Sequence, residues 1–285
     1  MFPILAKYFA ILLFIAIPTA AVIIVFRTMR DRRARRTMFP KGRDERIAKP
    51  PGWSLRERVD ELREKLDFWI MLIVAIPVTI GMLHLYNQIP FILALAFIFL
   101  LSLVATLRMV PLVIKIRNHR LGLFGEEIVG GILARLWGNG CAVFHDLQTT
   151  KIGNIDHVVV GPTGVYVIET KCRRRKREQE GHRVVFDRTK LESTSFSDSH
   201  GLEQAERNAH WLSEQLTKLT AEPVACKAVL TLPGWFVSER KLGPVRVLHP
   251  KQIERYITSQ PASLSQEQQQ RISNWLEERC QLEVE

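Results

Sequence analysis

A predicted β-hairpin carries the residues whose types and spacing could do chemistry. Two β-branched, apolar runs, residues 154–160 and 165–171, flank a Gly-Pro-Thr-Gly turn, and this combination is a strong hairpin signal. In the register that this turn favours, Asp156 lies directly opposite Glu169. Directly opposed residues have Cβ atoms roughly 4.5–5.5 Å apart. Two carboxylates at that separation repel each other, so an undisturbed sheet would not choose them.

A divalent cation between the two carboxylates would remove this penalty. Hard oxygen ligands on adjacent strands suit Mg²⁺ or Mn²⁺, so Asp156 and Glu169 are candidate metal ligands. The same register sets Asn154 opposite Lys171, and period-two alternation puts all four side chains on one face. Lys171 would therefore reach the pocket that the carboxylates form.

These residues resemble a known family. Asp156, with Glu169-Thr170-Lys171, resembles the PD-(D/E)xK nuclease signature, and the wider pattern is similar to the nuclease-related domain (NERD) family over about residues 120–232. The pieces of that pattern are Gly125-Glu126-Glu127 opening a helix, Ile155-Asp156-His157, the run Gly164–Lys171 and a later helix that bears Gln204.

The resemblance implies a fold, an activity and roles for several residues. The fold would be α/β, a restriction-endonuclease-like αβββαβ core with a mixed sheet flanked by helices. Asp156 and Glu169 would hold Mg²⁺ or Mn²⁺, which would polarise a phosphate and activate a water, and Lys171 would position that water or stabilise charge on the phosphoryl oxygens. Gln204 would lie near the phosphate.

A third acid is expected at the start of the first helix of this domain. Glu126 follows Gly125 directly and matches the family position better than Glu127 does. Acids in a first helical turn also favour the helix dipole, so a purely structural role stays open for both residues.

A basic segment follows Lys171 and departs from the family pattern, in which a small polar residue and a Gly-containing stretch are usual. A nucleic-acid backbone would lie against such a segment beside a metal site. A solvated turn and a contact with a membrane surface are the alternatives. Its residues are Arg173, Arg174, Arg175, Lys176 and Arg177.

Three apolar stretches, Ile4–Phe26, Phe68–Tyr86 and Ile89–Leu107, each have about the ~20 residues that cross a bilayer as a helix. A cleaved signal peptide is disfavoured for the first because its cations follow the apolar run. A buried helical hairpin of a soluble protein is the alternative for the second and third. The sequence therefore predicts about three transmembrane helices before the globular domain.

Cations flank these stretches and predict their orientation. The cluster at residues 27–36 follows the first span, and Lys115, Arg117 and Arg120 follow the third. By the positive-inside rule, the N-terminus would lie outside and the C-terminal domain in the cytoplasm, making a multi-pass protein of the inner, cytoplasmic membrane. The predicted divisions are a first span at 1–26, a basic linker at 27–67, a transmembrane hairpin at 68–114, a nuclease core at 120–232 and C-terminal elements extending the core at 233–285.

The net charge of +11 is unevenly distributed. Residues 27–67 carry +6, residues 115–120 carry +3 and residues 171–177 carry +6, which leaves −4 for the remainder. The basicity is thus confined to membrane flanks and one short segment, and it does not indicate a general nucleic-acid-binding surface. The four cysteines include no C-x-x-C pair, which disfavours a zinc site and fits a reducing compartment.

Periodicity and turn signals predict the remaining elements of the globular domain. A loop is expected at Asp187–Gly201, and Ser263 and Gln266 have capping-box spacing. The predicted helices are Gly125–Trp137, Leu202–Leu219, Pro250–Ile257 and Ser263–Leu282, and the further strands are Cys141–Leu147, Arg183–Phe186, Val224–Leu232 and Val245–Leu248.

The residues and the resemblance together predict a membrane-anchored, divalent-metal-dependent nuclease at the cytoplasmic face of the bilayer. Its expected partners are the lipid bilayer and nucleic acid, with DNA favoured over RNA, and the oligomeric state stays open. The alternative is a catalytically silent nucleic-acid-binding or scaffold module tethered to the membrane. Intact Asp156, Glu169 and Lys171 favour the enzyme, since a silent module has no need of all three.

Overall fold

The computed structural model describes residues 48–86, 88–149, 152–174, 183–193, 196–241 and 243–281. The first predicted membrane span lies outside the described residues, as does the basic linker up to residue 47. The chain forms two compact units: Glu61–Ile116 belongs to the first, and Arg46–Asp60 together with Arg117–Glu285 forms the second.

Two long helices, α1 (Trp53–Leu85) and α2 (Phe91–Leu133), contain the second and third predicted spans. By length and composition both could cross a membrane. Both extend beyond the predicted bounds. Residues 53–67 form the first part of α1 although they were expected to be linker, because nothing in that stretch interrupts the helix.

Helix α2 also overturns the expectation that Gly125 opens a helix. Gly125 and Glu126 lie well inside α2, which runs without a break to Leu133 and continues as a 3₁₀ helix, Ala134–Asn139. The segment after Pro111 contains no proline, and isolated glycines only weaken a helix. Glu126 is therefore not stabilised by a helix N-terminus, and the helix dipole does not account for an acidic residue at this position.

The second unit is built on a five-stranded mixed sheet. Its strand order is β1-β2-β3-β7-β9, in which β1, β2 and β3 are antiparallel and β7 and β9 extend the sheet in parallel. The strands are β1 (Ala142–Leu147), β2 (Ile155–Gly161), β3 (Gly164–Thr170), β7 (Cys226–Thr231) and β9 (Val245–Leu248). Helix α3 (His200–Thr220) precedes β7, so the predicted αβββαβ order is observed.

A second sheet has the strand order β6-β5-β4-β8. Three of its strands lie in the chain between β3 and α3, and the fourth lies between β7 and β9. The predicted strand at 183 is present as β4 (Arg183–Asp187). The predicted loop at Asp187–Gly201 is wrong in part, since it contains two short strands, and a third strand after β7 was missed. Tertiary pairing overrides the polar, turn-rich local sequence there. The unpredicted strands are β5 (Lys190–Glu192), β6 (Ser197–Asp198) and β8 (Phe236–Lys241).

Apolar clusters cover both faces of the five-stranded sheet. Val158 and Val167 face a cluster that includes Leu212 of α3, whereas Val159 and Ile168 face a cluster that includes Val129 of α2. Period-two alternation therefore sets Asp156 and Glu169 on the α3 side of the sheet. Two C-terminal helices complete these layers, α4 (Pro250–Thr258) and α5 (Gln266–Arg279).

The capping box of helix α5 differs from the predicted one by two residues. Ser265 caps the helix and Gln268 returns the bond, where Ser263 and Gln266 were expected. Both pairs have the same spacing, so the sequence alone does not choose between them.

Residues 48–56, which we call the N-terminal strap, belong to the second unit although they precede both long helices. Lys49 N donates to Cys280 O at 2.8 Å, next to an antiparallel bridge between Ala48 and Gln281. Further along the strap, Arg56 forms an ion pair with Glu127 of α2 at 2.7 Å. The strap thus joins α2 and the end of α5 to the same folding unit.

Candidate functional site

The β2–β3 hairpin has the predicted register. Val160 pairs with Val165 and His157 with Ile168, and continuing this register by one residue sets Asp156 opposite Glu169. The two-residue turn follows from the Gly-Pro-Thr-Gly sequence, where Gly164 adopts a φ of 125° that other residues rarely take. The turn therefore fixes which carboxylates meet.

Lys171 links the hairpin to helix α3. Its Nζ donates to Glu169 Oε1 at 2.8 Å and to Gln204 Oε1 at 2.8 Å. Gly201, in the first turn of α3, makes room for the lysine stem, because a Cβ there would lie 3.1 Å from Lys171 Cγ. Three of the predicted site residues are thus in direct contact.

Glu169 is 1% exposed and has a second partner, Asn208, which was not among the predicted site residues. Asn208 Nδ2 donates to Glu169 Oε2 at 3.1 Å, while the buried Oδ1 of Asn208 has no hydrogen-bond partner among the described residues. Burial raises the pKa of Glu169, and the contacts with Lys171 and Asn208 oppose that rise. Asn208 lies one helical turn after Gln204, and a polar residue at that spacing was the available signal.

Asp156 is partly exposed as a residue, but its carboxyl group is enclosed by the site. Its Oδ2 accepts a hydrogen bond of 2.7 Å from Thr170 N, at the end of the neighbouring strand. Burial, followed by repulsion from Glu169 and Glu126, raises the pKa of Asp156 well above its usual range. The carboxyl groups of Asp156, Glu169 and Glu126 therefore influence one another electrostatically.

Glu126 and Glu127, which the sequence left as alternatives, point to different surroundings. Glu126 is 7% exposed, and burial, reinforced by repulsion from Asp146 and Glu169, raises its pKa to about 8. Glu127 is exposed and pairs with Arg56 of the N-terminal strap. Glu126 is thus the acid that shares the electrostatic environment of Asp156 and Glu169.

Helix α2 approaches the end of β3 closely enough to bring Glu126 to the site. A Cβ at Gly125 would lie 1.9 Å from Cys172 Sγ, so no larger residue fits unless one of the two segments moves. Cys172 is partly buried, and burial raises the pKa of its thiol to about 11. This thiol therefore stays protonated and acts as a packing group between the helix and the strand.

Asn154 does not join the face of Glu169 and Lys171, although the hairpin register predicted it there. Its Nδ2 donates to Asp146 Oδ1 at 3.1 Å, because β2 begins only at Ile155. Asp146 is buried with a positive φ of 54° and also accepts bonds from the N and Oγ of Ser54, at 3.1 and 2.7 Å. Asn154 thus helps to attach the N-terminal strap.

His157 is fully buried on the sheet face opposite Asp156. Its Nδ1 lies 2.8 Å from His145 Nδ1, so one ring nitrogen donates and the other accepts. Burial lowers the pKa of His145 to about 4 and lowers that of His157 as well. Both imidazoles are therefore neutral at ordinary pH and contact each other away from the carboxylates.

The two described residues of the basic segment have partners within the second unit. Arg173 forms a very short ion pair with Asp198 Oδ2 and lies over the ring of Phe196, 5.8 Å from its centroid. Arg174 donates to Asn118 Oδ1 at 3.0 Å. The remaining predicted contacts, Arg175, Lys176 and Arg177, lie outside the described residues.

The side chains that could hold a hard cation are Asp156, Glu169 and Glu126. They offer carboxylate oxygens, the donor type that Mg²⁺ and Mn²⁺ prefer, and the unpartnered Oδ1 of Asn208 is a further buried acceptor. The donor set therefore fits such an ion chemically. In the part of the chain that the structure describes, no three His, Cys, Asp or Glu side chains are already arranged as a metal site, and Lys171 neutralises Glu169 instead.

Comparison with known proteins agrees with the resemblance seen in the sequence. The family model of the nuclease-related domain (NERD) matches residues 121–233, a range that contains Glu126, Asp156, Glu169, Lys171 and Gln204. No curated protein and no solved structure gave a match. The match supports the NERD family for this range and associates it with a nuclease-related function.

Proposed function

We propose, on the premise of the NERD match, that this chain is a membrane-anchored, divalent-metal-dependent nuclease that hydrolyses phosphodiester bonds of nucleic acid at the cytoplasmic face. The observation that carries the proposal is the meeting of Glu169, Lys171 and Asp156 at one end of the hairpin. Buried carboxylates that repel one another are costly, and a module that only bound nucleic acid would gain nothing from that cost.

Asp156 and Glu169, with Glu126 as a third acid, would hold Mg²⁺ or Mn²⁺. A bound divalent ion supplies Lewis-acid polarisation of a phosphate and a lowered pKa for a ligand water. The raised pKa of Asp156 and Glu126 supports this assignment, because a cation would take over the neutralising role that protons have without it.

Lys171 would be the residue that acts on the reacting phosphate. Its ammonium is held between Glu169 and Gln204, with a side chain 21% exposed, so it can turn towards a substrate without leaving the site. An ammonium next to a phosphoryl group stabilises the charge that grows there in the transition state. Gln204 would orient that ammonium, and Asn208 would hold Glu169 in its rotamer.

Nucleic acid, with DNA favoured over RNA, is the proposed substrate. The basic residues after Lys171 would meet its backbone outside the reacting group. Since Arg173 already pairs with Asp198 and Arg174 with Asn118, we assign the greater share of that contact to residues 175–177.

Metal linkage tests this proposal. We expect the purified full-length chain in detergent to cleave plasmid or linear DNA with millimolar Mg²⁺ or Mn²⁺ and to be inactive in EDTA. The same ions should raise its melting temperature, by an amount corresponding to about 2.7 kcal/mol at a metal concentration 100 times Kd. Asp156→Asn should abolish cleavage and weaken metal binding, because one hard ligand is lost, while the far-ultraviolet circular dichroism stays unchanged.

Asp187→Asn is the matched control for that variant, since Asp187 ends strand β4 of the other sheet. It should keep both cleavage and metal stabilisation. If calorimetry detects no binding of millimolar Mg²⁺ or Mn²⁺ to the parent and no nucleic acid is cleaved, the silent binding or scaffold module replaces the enzyme.

The membrane part of the proposal is a helical hairpin with both ends in the cytoplasm. Residues 46–60 and 117–285 belong to one compact unit, so the chain enters and leaves the α1–α2 segment on the same side of any membrane that it crosses. This supports an even number of crossings between Asp60 and Arg117. The cations of residues 115–120 support the cytoplasmic side.

A reporter fused after Glu285 should therefore give a cytoplasmic signal, because the flanks of both helices carry the excess of Lys and Arg. The paired alkaline phosphatase and fluorescent-protein fusions give opposite readouts on the two sides, and a fusion at Gln88 is the internal control. A periplasmic or luminal signal from residue 285 would contradict the orientation.

A further inference from the structure

A cavity of about 600 Å³ lies between helices α1 and α2, within the first unit. Its wall changes from charged to apolar along α1. On α1, Glu61, Glu64 and Lys65 line one part and Phe68 and Trp69 line the other, whereas on α2 the apolar Pro111 and Leu112 lie between Arg108 and Lys115. On α1 the change falls at the point where the charged sequence ending at Asp67 gives way to the apolar stretch. The cavity therefore lies at the border between the polar and apolar parts of the hairpin.

Three cationic side chains, Lys65, Arg108 and Lys115, line the charged part. Among the residues that the structure describes, none of the three has an ion pair or a side-chain hydrogen bond. The two carboxylates of the same wall, Glu61 and Glu64, do have interactions of their own. The wall therefore carries a net charge of +1, and its three cations have no partners among the described residues, which makes it complementary to an anion.

The aromatic part suits a ligand that is not only an anion. Phe68 and Trp69 stack edge to face with their ring centroids 6.0 Å apart, and Phe68 is 55% exposed. Aromatic rings at the end of an apolar helix are typical of the level of lipid headgroups. Inorganic phosphate would satisfy the cations and leave these rings uncovered, whereas a phospholipid would cover both parts.

We propose that this cavity binds an anionic phospholipid, with its phosphate on Lys65, Arg108 and Lys115 and the upper part of its acyl chains on Phe68 and Trp69. Basic pockets between membrane helices on the cytoplasmic side suit such headgroups, and a guanidinium can hold two phosphate oxygens at once. This inference depends on α1 and α2 crossing a membrane and is independent of the proposed nuclease activity.

The test measures binding of fluorescent phosphatidylglycerol to the full-length chain in a neutral detergent. A cation near the membrane surface contributes about 1 kcal/mol to binding an anionic lipid. The triple variant Lys65→Gln, Arg108→Gln, Lys115→Gln should therefore bind roughly 100-fold more weakly. Arg108→Gln alone, a smaller disturbance to folding, should bind roughly fivefold more weakly. Phosphatidylcholine should bind the parent weakly.

A triple control with the same change in net charge uses exposed cations on helices α3 and α4: Lys218→Gln, Lys251→Gln and Arg255→Gln. It should bind phosphatidylglycerol like the parent. The proposal is overturned if the cavity variants also bind like the parent, or if the control loses as much affinity as they do.

Two competitors separate the lipid from other phosphates. Inorganic phosphate and a short oligonucleotide should not displace phosphatidylglycerol, and Trp69→Ala should weaken lipid binding. Displacement by millimolar phosphate together with an unaffected Trp69→Ala variant would identify a free-phosphate site and overturn the lipid. Displacement by the oligonucleotide would identify a nucleic-acid contact and would also overturn the proposed lipid site.

Discussion

Replacing Lys171 with alanine is expected to lower kcat by roughly 10²–10³-fold, with KM nearly unchanged. The ammonium lies on the face of the carboxylates, 2.8 Å from Glu169, where the proposed phosphoryl transfer would develop charge. An interaction made mainly in the transition state appears in kcat and not in KM. Full-length protein with Mg²⁺ and a fluorescent DNA substrate would supply both constants.

Lys171→Ala also removes a partner of the buried Glu169, so its effect on folding has to be separated from its effect on chemistry. Lys171→Arg keeps the positive charge and should recover part of kcat. Lys190→Ala removes an exposed lysine that pairs with Glu192 in the second sheet, and it should be neutral. Parent-like turnover in Lys171→Ala would show that this lysine only neutralises Glu169 and has no role in catalysis.

Glu126→Gln is expected to change how the stability of the metal-free protein depends on pH. The folded pKa of Glu126 is about 8, above its ordinary value of 4.5. The protonated carboxyl is therefore favoured by folding, so its contribution is complete below about pH 4.5 and is lost as pH rises through about 8. The loss is up to about 1.4 kcal/mol for each pH unit, and a few kcal/mol in all.

Glutamine cannot ionise, so the variant should gain stability relative to the parent between pH 5 and pH 8.5, by several degrees in melting temperature. Glu127→Gln is the control, because Glu127 is exposed and pairs with Arg56. The difference in stability between this variant and the parent should not change with pH. Saturating Mg²⁺ should remove the advantage of Glu126→Gln, since the parent would then keep an ionised carboxyl beside a cation. A pH-independent difference for Glu126→Gln would contradict a buried, protonated Glu126.

The hairpin register could be predicted because local chemistry determines it. The Gly-Pro-Thr-Gly turn between two runs of β-branched residues predicts that Val160 pairs with Val165, and this pairing is observed. Lys171 and Gln204 followed from the family resemblance, and the structure brings them into direct contact. The register depends on a short segment whose sequence and tertiary environment favour the same conformation.

The remainder depends on contacts between distant segments, which a single sequence does not reveal. Gly125 was taken as a helix start, yet it is glycine because Cys172 lies against it. Asn208 was not among the predicted site residues, because nothing local shows that Glu169 lies across from it. Strands β5, β6 and β8 exist through pairing with β4 and with one another, in segments whose own composition favours turns.

The pairing of the N-terminal strap with the end of helix α5 has a consequence for the order of synthesis. Ala48 and Lys49 are translated before both long helices, but their partners Gln281 and Cys280 are translated only after the whole nuclease-related region. Residues 48 and 49 must therefore wait unpaired while helices α1 and α2 and the sheet form, although Ser54 and Arg56 of the strap can already contact Asp146 and Glu127. Closing so long a loop is entropically costly, so we expect the pairing of residues 48 and 49 to be the last step of folding. A nascent chain should stay sensitive to proteases at these two residues until then.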